Sequence, residues 1–200
     1  MPNVEINEWR GHSDHADPQR RLLVLPGMSF PITMPLLFIP SVALAEAGWT
    51  VWYATWDLSD IVHEDDALWD AVNRAAADLA AAAGDSEGAT TVVLGKSVGT
   101  LACRWVADAN LPAVWLTPLL RDKGVVEHMA ATSAPALLIG GTADRSWDRG
   151  SADALGKYVV EIPDADHALR SDDWRTYLRT VEHVTDAVLD FVKCSATSLA

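Results

Sequence analysis

One serine, one aspartate and one histidine stand out in this chain by their surroundings. Ser97 lies in Gly95-Lys96-Ser97-Val98-Gly99, after the apolar, β-branched run Thr91-Val92-Val93-Leu94 and ahead of a helix-compatible segment. Strand, sharp turn carrying a serine, then helix is the sequence form of a nucleophile elbow. The serine backbone in such a turn is strained. Side chains two residues to either side would strike the neighbouring strand and helix, so glycine is needed at both places. The turn lifts the hydroxyl clear of the sheet, and the amide of Val98 points from a helix N-terminus toward any oxyanion formed on the serine. Gly95-Lys96-Ser97 also looks like the tail of a phosphate-binding loop, G-x-x-x-x-G-K-[ST]. That motif needs glycine at position 90, where the chain has Thr90, and a loop where the chain has a strand-like run.

A serine hydroxyl is a poor nucleophile unless a base takes its proton during attack. Histidine suits that task, and a carboxylate behind it fixes the tautomer and stabilises the imidazolium. His167 ends Pro163-Asp164-Ala165-Asp166-His167, just past the strand-like Lys157 to Ile162. The other histidines are placed less well: His12 and His15 precede the sheet, His63 falls in a loop ahead of the serine, and His128 and His183 sit in helical patterns. Asp144 follows the strand Pro135 to Gly140 and its glycine stop, Gly140-Gly141, and is the expected acid. Asp148 and Asp122 are the alternatives. An oxyanion site needs a second backbone N–H beside that of Val98. Pro26-Gly27-Met28-Ser29 follows the first central strand, which makes the Met28 N–H the expected donor. Gly27, Phe30, Trp56 and Trp147 are candidates to line a substrate pocket, and Lys96 is expected to face solvent.

These residues need a scaffold that brings them to one edge. Asn3 to Trp9 alternates like an edge strand, and Gly11 to Arg21 reads as a polar loop. Its His12, Asp14, His15 and Asp17 could form a metal cluster, but nothing later supplies a clear partner, so no metal and no cofactor is expected. Leu22 to Leu25 is a short, wholly apolar run of the kind buried on both faces of a parallel sheet. Helix Met34 to Ala47 follows, with Pro40 expected to kink it or delay its start, and then strand Trp49 to Ala54. A helix from about Ala67 to Ala83 carries an apolar face of Leu68, Ala71, Val72, Ala75 and Leu79, with Asp65 or Asp66 as its cap. Beyond the elbow come a helix from Val98 to about Ala109, strand Pro112 to Thr117, a short helix Asp122 to Ala131, strand Pro135 to Gly140, a weak helix Asp148 to Leu155, strand Lys157 to Ile162 and a closing helix Trp174 to Lys193. This alternation predicts an α/β domain with a mostly parallel sheet of about six or seven strands flanked by helices. Ser97, Asp144, His167 and Gly27-Met28 each lie just past a carboxyl strand end, where such sheets bind ligands.

The whole chain narrows the classes. Its 200 residues fit one domain, and half of them are apolar, so the chain is not disordered. A formal net charge of −13 weighs against nucleic-acid and membrane-surface roles. No apolar run reaches membrane-spanning length; Pro31, Pro35 and Pro40 interrupt the best one. Two distant cysteines, Cys103 and Cys194, and a start without a signal-peptide pattern suggest a reduced, cytoplasmic setting. Of nine tryptophans, Trp49, Trp52, Trp105 and Trp115 are expected in the core.

Taken together, Gly95-Lys96-Ser97-Val98-Gly99, Gly140-Gly141-Thr142-Ala143-Asp144 and Asp166-His167 resemble the three signature loops of the α/β-hydrolase superfamily, over about Leu22 to Lys193. The resemblance is to its small serine hydrolases, those grouped with retinoblastoma-binding protein 9 and YdeN or with dienelactone hydrolase. It implies the chain order Ser97, Asp144, His167 and little or no lid, since Thr117 to Pro135 is short. It implies a cofactor-free serine hydrolase acting on a small ester, thioester or related acyl substrate. The alternatives are acyl transfer or carbon–carbon bond hydrolysis on the same triad, or a binding protein that keeps the fold without turnover. The oligomeric state does not follow from the sequence.

Overall fold

The computed structural model describes residues 3–11, 15–84, 88–171 and 173–198. Seven strands form one sheet: β1 Asn3–Glu8, β2 Asp17–Leu25, β3 Trp49–Asp57, β4 Thr90–Lys96, β5 Ala113–Leu116, β6 Ala136–Gly141 and β7 Tyr158–Ile162. Six α-helices accompany them: α1 Pro35–Glu46, α2 Asp65–Ala83, α3 Cys103–Asp108, α4 Lys123–Ala131, α5 Arg149–Ala154 and α6 Trp174–Ser198. The strand order is β1-β3-β2-β4-β5-β6-β7. β1 runs antiparallel to β3 at one edge, and every other pairing is parallel.

The order reverses at the middle of the sheet. From β2 the chain steps outward to β3; from β4 it steps the other way to β5. The carboxyl ends of β2 and β4 are thus neighbours whose connections leave in opposite directions, which opens a crevice between them. The central strands separate two cores by side-chain parity. Leu23, Leu25, Val93 and Trp115 pack with Val72, Leu79, Val106, Val125 and Ala152 of α2 to α5. Leu22, Val24, Leu94 and Leu116 pack with Leu36, Leu44, Val184 and Val188 of α1 and α6.

Several boundaries differ from the sequence expectation. β2 starts at Asp17, five residues before the apolar run, because Asp17 pairs with Trp49 of β3 and Arg20 and Arg21 pair with Thr90 and Thr91 of β4. That early stretch is largely exposed, so only hydrogen bonding marks it as strand. β3 likewise runs on to Asp57, and a turn of 3-10 helix at Ser59–Ile61 follows. α1 begins at Pro35, where a missing N–H is harmless, and continues through Pro40. Glu64, not Asp65 or Asp66, is the α2 N-cap; the two aspartates sit in the first turn, where their charge suits the helix dipole. The segment after the elbow begins as 3-10 helix, Ser97–Ala102, before α3. His12 and Asp14 lie outside the described residues, and His15 is exposed ahead of β2. Among the described residues, no helix is long and apolar enough to cross a membrane.

Candidate active site

The elbow is a backbone feature before it is a chemical one. Ser97 has φ 52°, in the left-handed region that a residue with a Cβ enters at a cost. The flanking glycines explain how the turn fits. A Cβ on Gly95 would lie 2.5 Å from the Trp115 ring of β5, and one on Gly99 would drive into the Leu25 carbonyl and sit 2.7 Å from that of Pro26. The elbow is therefore pressed against both neighbouring strands. Thr100 Oγ1 donates to the Ser97 carbonyl at 2.6 Å and helps hold the tight 3-10 turn.

Ser97, His167 and Asp144 meet at the crevice although 70 and 23 residues separate the pairs. His167 Nε2 lies 2.7 Å from Ser97 Oγ, and its Nδ1 lies 2.8 Å from Asp144 Oδ2. A carboxylate only accepts, so Nδ1 carries the proton and Nε2 is free to accept from the serine hydroxyl. The Asp144 side chain is 1% exposed and the His167 side chain 40%. Burial works to raise the Asp144 pKa. The hydrogen bond from His167, the Ser146 N–H at 2.8 Å and the charges of His167 and Lys96 outweigh it, and the carboxyl stays below its ordinary value.

The two loops that bring acid and histidine are stitched together. Ala143 N–H donates to the Ala165 carbonyl at 3.0 Å, and Asp164 N–H donates to Thr142 Oγ1 at 2.7 Å. Asp166 folds the histidine loop, its Oδ1 accepting from the amides of Ala168 and Arg170 at 2.8 and 2.9 Å. Gly140 and Gly141 do not stop β6 but belong to it; a Cβ on Gly140 would fall within the Trp147 ring, and one on Gly141 on the Ala165 carbonyl. The rival acids are helix caps: Asp122 accepts from Gly124 N–H at 2.8 Å, and Asp148 from Ser151 N–H at 3.0 Å.

The remaining candidates divide. Gly27 is buried against the elbow; a Cβ there would lie 3.5 Å from that of Ser97. Gly27 N–H donates to the Phe30 carbonyl at 3.1 Å, which makes Gly27 to Phe30 a tight turn with Met28 half-buried on it. Trp56 reaches that turn from β3, its indole N–H donating to the Gly27 carbonyl at 3.2 Å. In a trans peptide the C=O and the following N–H point opposite ways, so this bond also fixes where the Met28 N–H points. Val98 is buried in the first turn after Ser97. Trp147 is a correction: its ring is 5% exposed, lies against Gly140 and donates to Glu161 Oε2 at 3.2 Å, so it fills the core rather than lining a site.

Lys96 is the larger correction. It is 1% exposed, with Nζ donating to Thr117 Oγ1 and to the His167 carbonyl, both at 2.9 Å. Its Nζ also sits 4.4 Å from the centre of the Phe30 ring, so Phe30 is occupied by the cation. Strand parity carried the signal. Lys96 shares a face with Leu94 and Val92, which points it into the core under α1. Thr117, fully buried at φ 44° just past β5, joins the site with no local sequence signal, since its left-handed backbone takes it out of the strand's alternation. The connection from Thr117 to Pro135 contains only α4, and the His167 side chain is partly exposed.

No protein-family model matches the chain, and no curated protein matches it in sequence. Solved structures do. Est1E from Butyrivibrio proteoclasticus with ferulic acid bound superposes at TM-score 0.70 with 15% identity, over 98% of this chain and 96% of that one. The esterase domain of a Rhodothermus marinus protein gives TM-score 0.59 and 15% identity over 98% of both chains. XC6422 from Xanthomonas campestris, an α/β serine hydrolase without a lid, gives 0.56 and 17% identity over 96% of this chain and 88% of that one. The chain therefore has the α/β-hydrolase fold.

Proposed function

We propose that this protein is a serine hydrolase that cleaves a small ester, thioester or related acyl substrate through an acyl-enzyme on Ser97. The observation that carries the reading is the pair of hydrogen bonds, 2.7 and 2.8 Å, that runs from a serine at φ 52° through His167 to a buried carboxylate. Ser97 Oγ attacks the carbonyl carbon while His167 Nε2 takes its proton. Asp144 holds the ring and balances the imidazolium. The amides of Met28 and Val98 receive the oxyanion; the tight turn at Gly27 and the elbow's own helical turn support those assignments. His167 then protonates the leaving group, deprotonates a water that attacks the acyl carbon, and returns the proton to Ser97. The ferulic acid held by the Est1E structure makes esters of aromatic acids a natural first panel, beside short aliphatic esters.

A fluorophosphonate probe tests the reading directly. The wild type is expected to be labelled at Ser97, Ser97→Ala not at all, and His167→Ala far more slowly. An unlabelled wild type, or equal labelling of wild type and Ser97→Ala, would overturn it.

Trp56 has a separate expected effect. Trp56→Phe keeps the ring and deletes the N–H that holds the Gly27–Met28 peptide. Losing an oxyanion donor outright costs about 100- to 1000-fold in kcat, so loosening one is expected to lower kcat roughly tenfold with KM little changed. Steady-state kinetics on a nitrophenyl ester check this; an unchanged kcat would remove Trp56 from the oxyanion site.

A further inference from the structure

The last residue of β4 holds a buried cation directly beneath the triad. An ammonium has three N–H donors. Those of Lys96 face Thr117 Oγ1, the His167 carbonyl and the Phe30 ring, two at 2.9 Å and the ring centre at 4.4 Å. The surroundings thus supply a partner for each donor of the charged form. An uncharged amine has two N–H groups and a lone pair, and the lone pair would meet either an oxygen or the electron-rich ring face. A methionine or leucine would fill the same space without the cost of a buried charge.

We propose that Lys96 is a positioning residue for the triad histidine, its ammonium pinning the backbone carbonyl of His167 and so tying turnover to the protonation of the lysine. This inference rests on the hydrolase reading above. His167 must hold its ring between Ser97 and Asp144 from a loop with left-handed residues on both sides, Asp164 at φ 55° and Leu169 at φ 53°. The ammonium fastens that loop from below to the ends of β4 and β5, through Thr117. The charged groups facing it are Asp144 from the loop after β6 and Asp166 from the loop after β7, while His167 presents its backbone carbonyl. β5 contributes only the Thr117 hydroxyl and the loop after β2 only the Phe30 ring. Burial pushes the Lys96 pKa down to about 8, against the opposing pull of Asp144 and Asp166. The lysine therefore loses its proton just above neutrality, and the clamp under His167 loosens there. Lys96 touches no substrate in this arrangement, so the effect falls on kcat rather than KM.

The test is the pH dependence of ester hydrolysis across roughly pH 6 to 10 for the wild type, Lys96→Met and Lys96→Gln. Wild-type kcat is expected to fall about tenfold from its plateau on the alkaline side of about 8, with KM steady. Lys96→Met is expected to be about 10- to 100-fold slower on the plateau and to lack that alkaline fall. Lys96→Gln keeps a donor for the His167 carbonyl without a titrating charge; it is expected to recover part of the lost rate and to stay flat on the alkaline side. An alkaline fall shared by wild type and both variants overturns the proposal. Should Lys96→Met not fold, the wild-type and Lys96→Gln profiles decide alone: a fall present in the first and absent in the second supports the clamp, and any other pair overturns it. Fluorophosphonate labelling at neutral pH separates the two levels. An unlabelled wild type sinks the hydrolase reading itself, whereas normal labelling with indistinguishable pH profiles sinks only the role of Lys96.

Discussion

Ser97→Ala is expected to lower ester turnover by about 10^4- to 10^6-fold while moving the unfolding temperature by no more than about 2 °C. Alanine has the same Cβ as serine, so it inherits the φ of 52° and the cost that goes with it. What it removes is the hydroxyl 2.7 Å from His167 Nε2. Any residual rate belongs to binding and the oxyanion site. Ser97→Gly serves as a partner experiment. It loses the same activity but also relieves the left-handed strain, which for one residue is about 1 kcal/mol. In a chain of this length that corresponds to a rise of roughly 2–4 °C. Thermal denaturation beside ester hydrolysis checks both variants. A protein made more stable by removing the proposed nucleophile would show that the elbow is held in its shape at a cost to the fold.

Gly99→Ala is expected to be among the most damaging single-methyl changes in the molecule, beside Gly141→Ala, whose Cβ would also meet a backbone carbonyl. The Cβ added at Gly99 meets two backbone carbonyls, those of Leu25 and Pro26, at the end of a central strand paired on both sides. Neither oxygen belongs to a side chain that can rotate away. A loss of about 3–5 kcal/mol is expected, along with most of the activity, because the spacing between the β2 end and the elbow also separates Met28 from Val98. Gly95→Ala is the comparison: its Cβ strikes the Trp115 ring, which can tilt, and a loss of about 1–3 kcal/mol is expected. Urea unfolding of the two variants checks the order; equal losses would mean that the strand end yields as readily as an indole.

The contrast between these two glycines also marks what could be read from the chain alone. That Ser97, Asp144 and His167 would come to one edge was legible because each lies in a local pattern fixed by the end of a strand: apolar run, then turn, then a polar residue. Asp122 and Asp148 read equally well as the starts of helices, and both are caps. What escaped was set by neighbours distant in sequence. The first residues of β2 are polar and largely exposed, and only their partners on β3 and β4 make them strand. Gly140 looked like a stop and is a seat for Trp147, a relation visible only once the ring lies on the strand. Lys96 looked like a surface residue because lysine usually is one. Its burial depends on Thr117, Phe30 and His167, which come from three other parts of the chain. Strand parity pointed it inward, but parity alone does not say that a charge will find partners there.

The exposure of His167, and the bare connection between β5 and β6, bear on the second half of a catalytic cycle. In the hydrolase reading, an acyl group carried on Ser97 would stand at the rim of the molecule instead of under a roof. Bulk water would reach it without any gate opening first. Water outnumbers every other nucleophile in solution, so the bound acyl group would leave chiefly as the free acid, and its lifetime would follow from how fast His167 activates water. The acid so formed is an anion released from a chain whose formal net charge is −13, and the field at that surface would speed its departure.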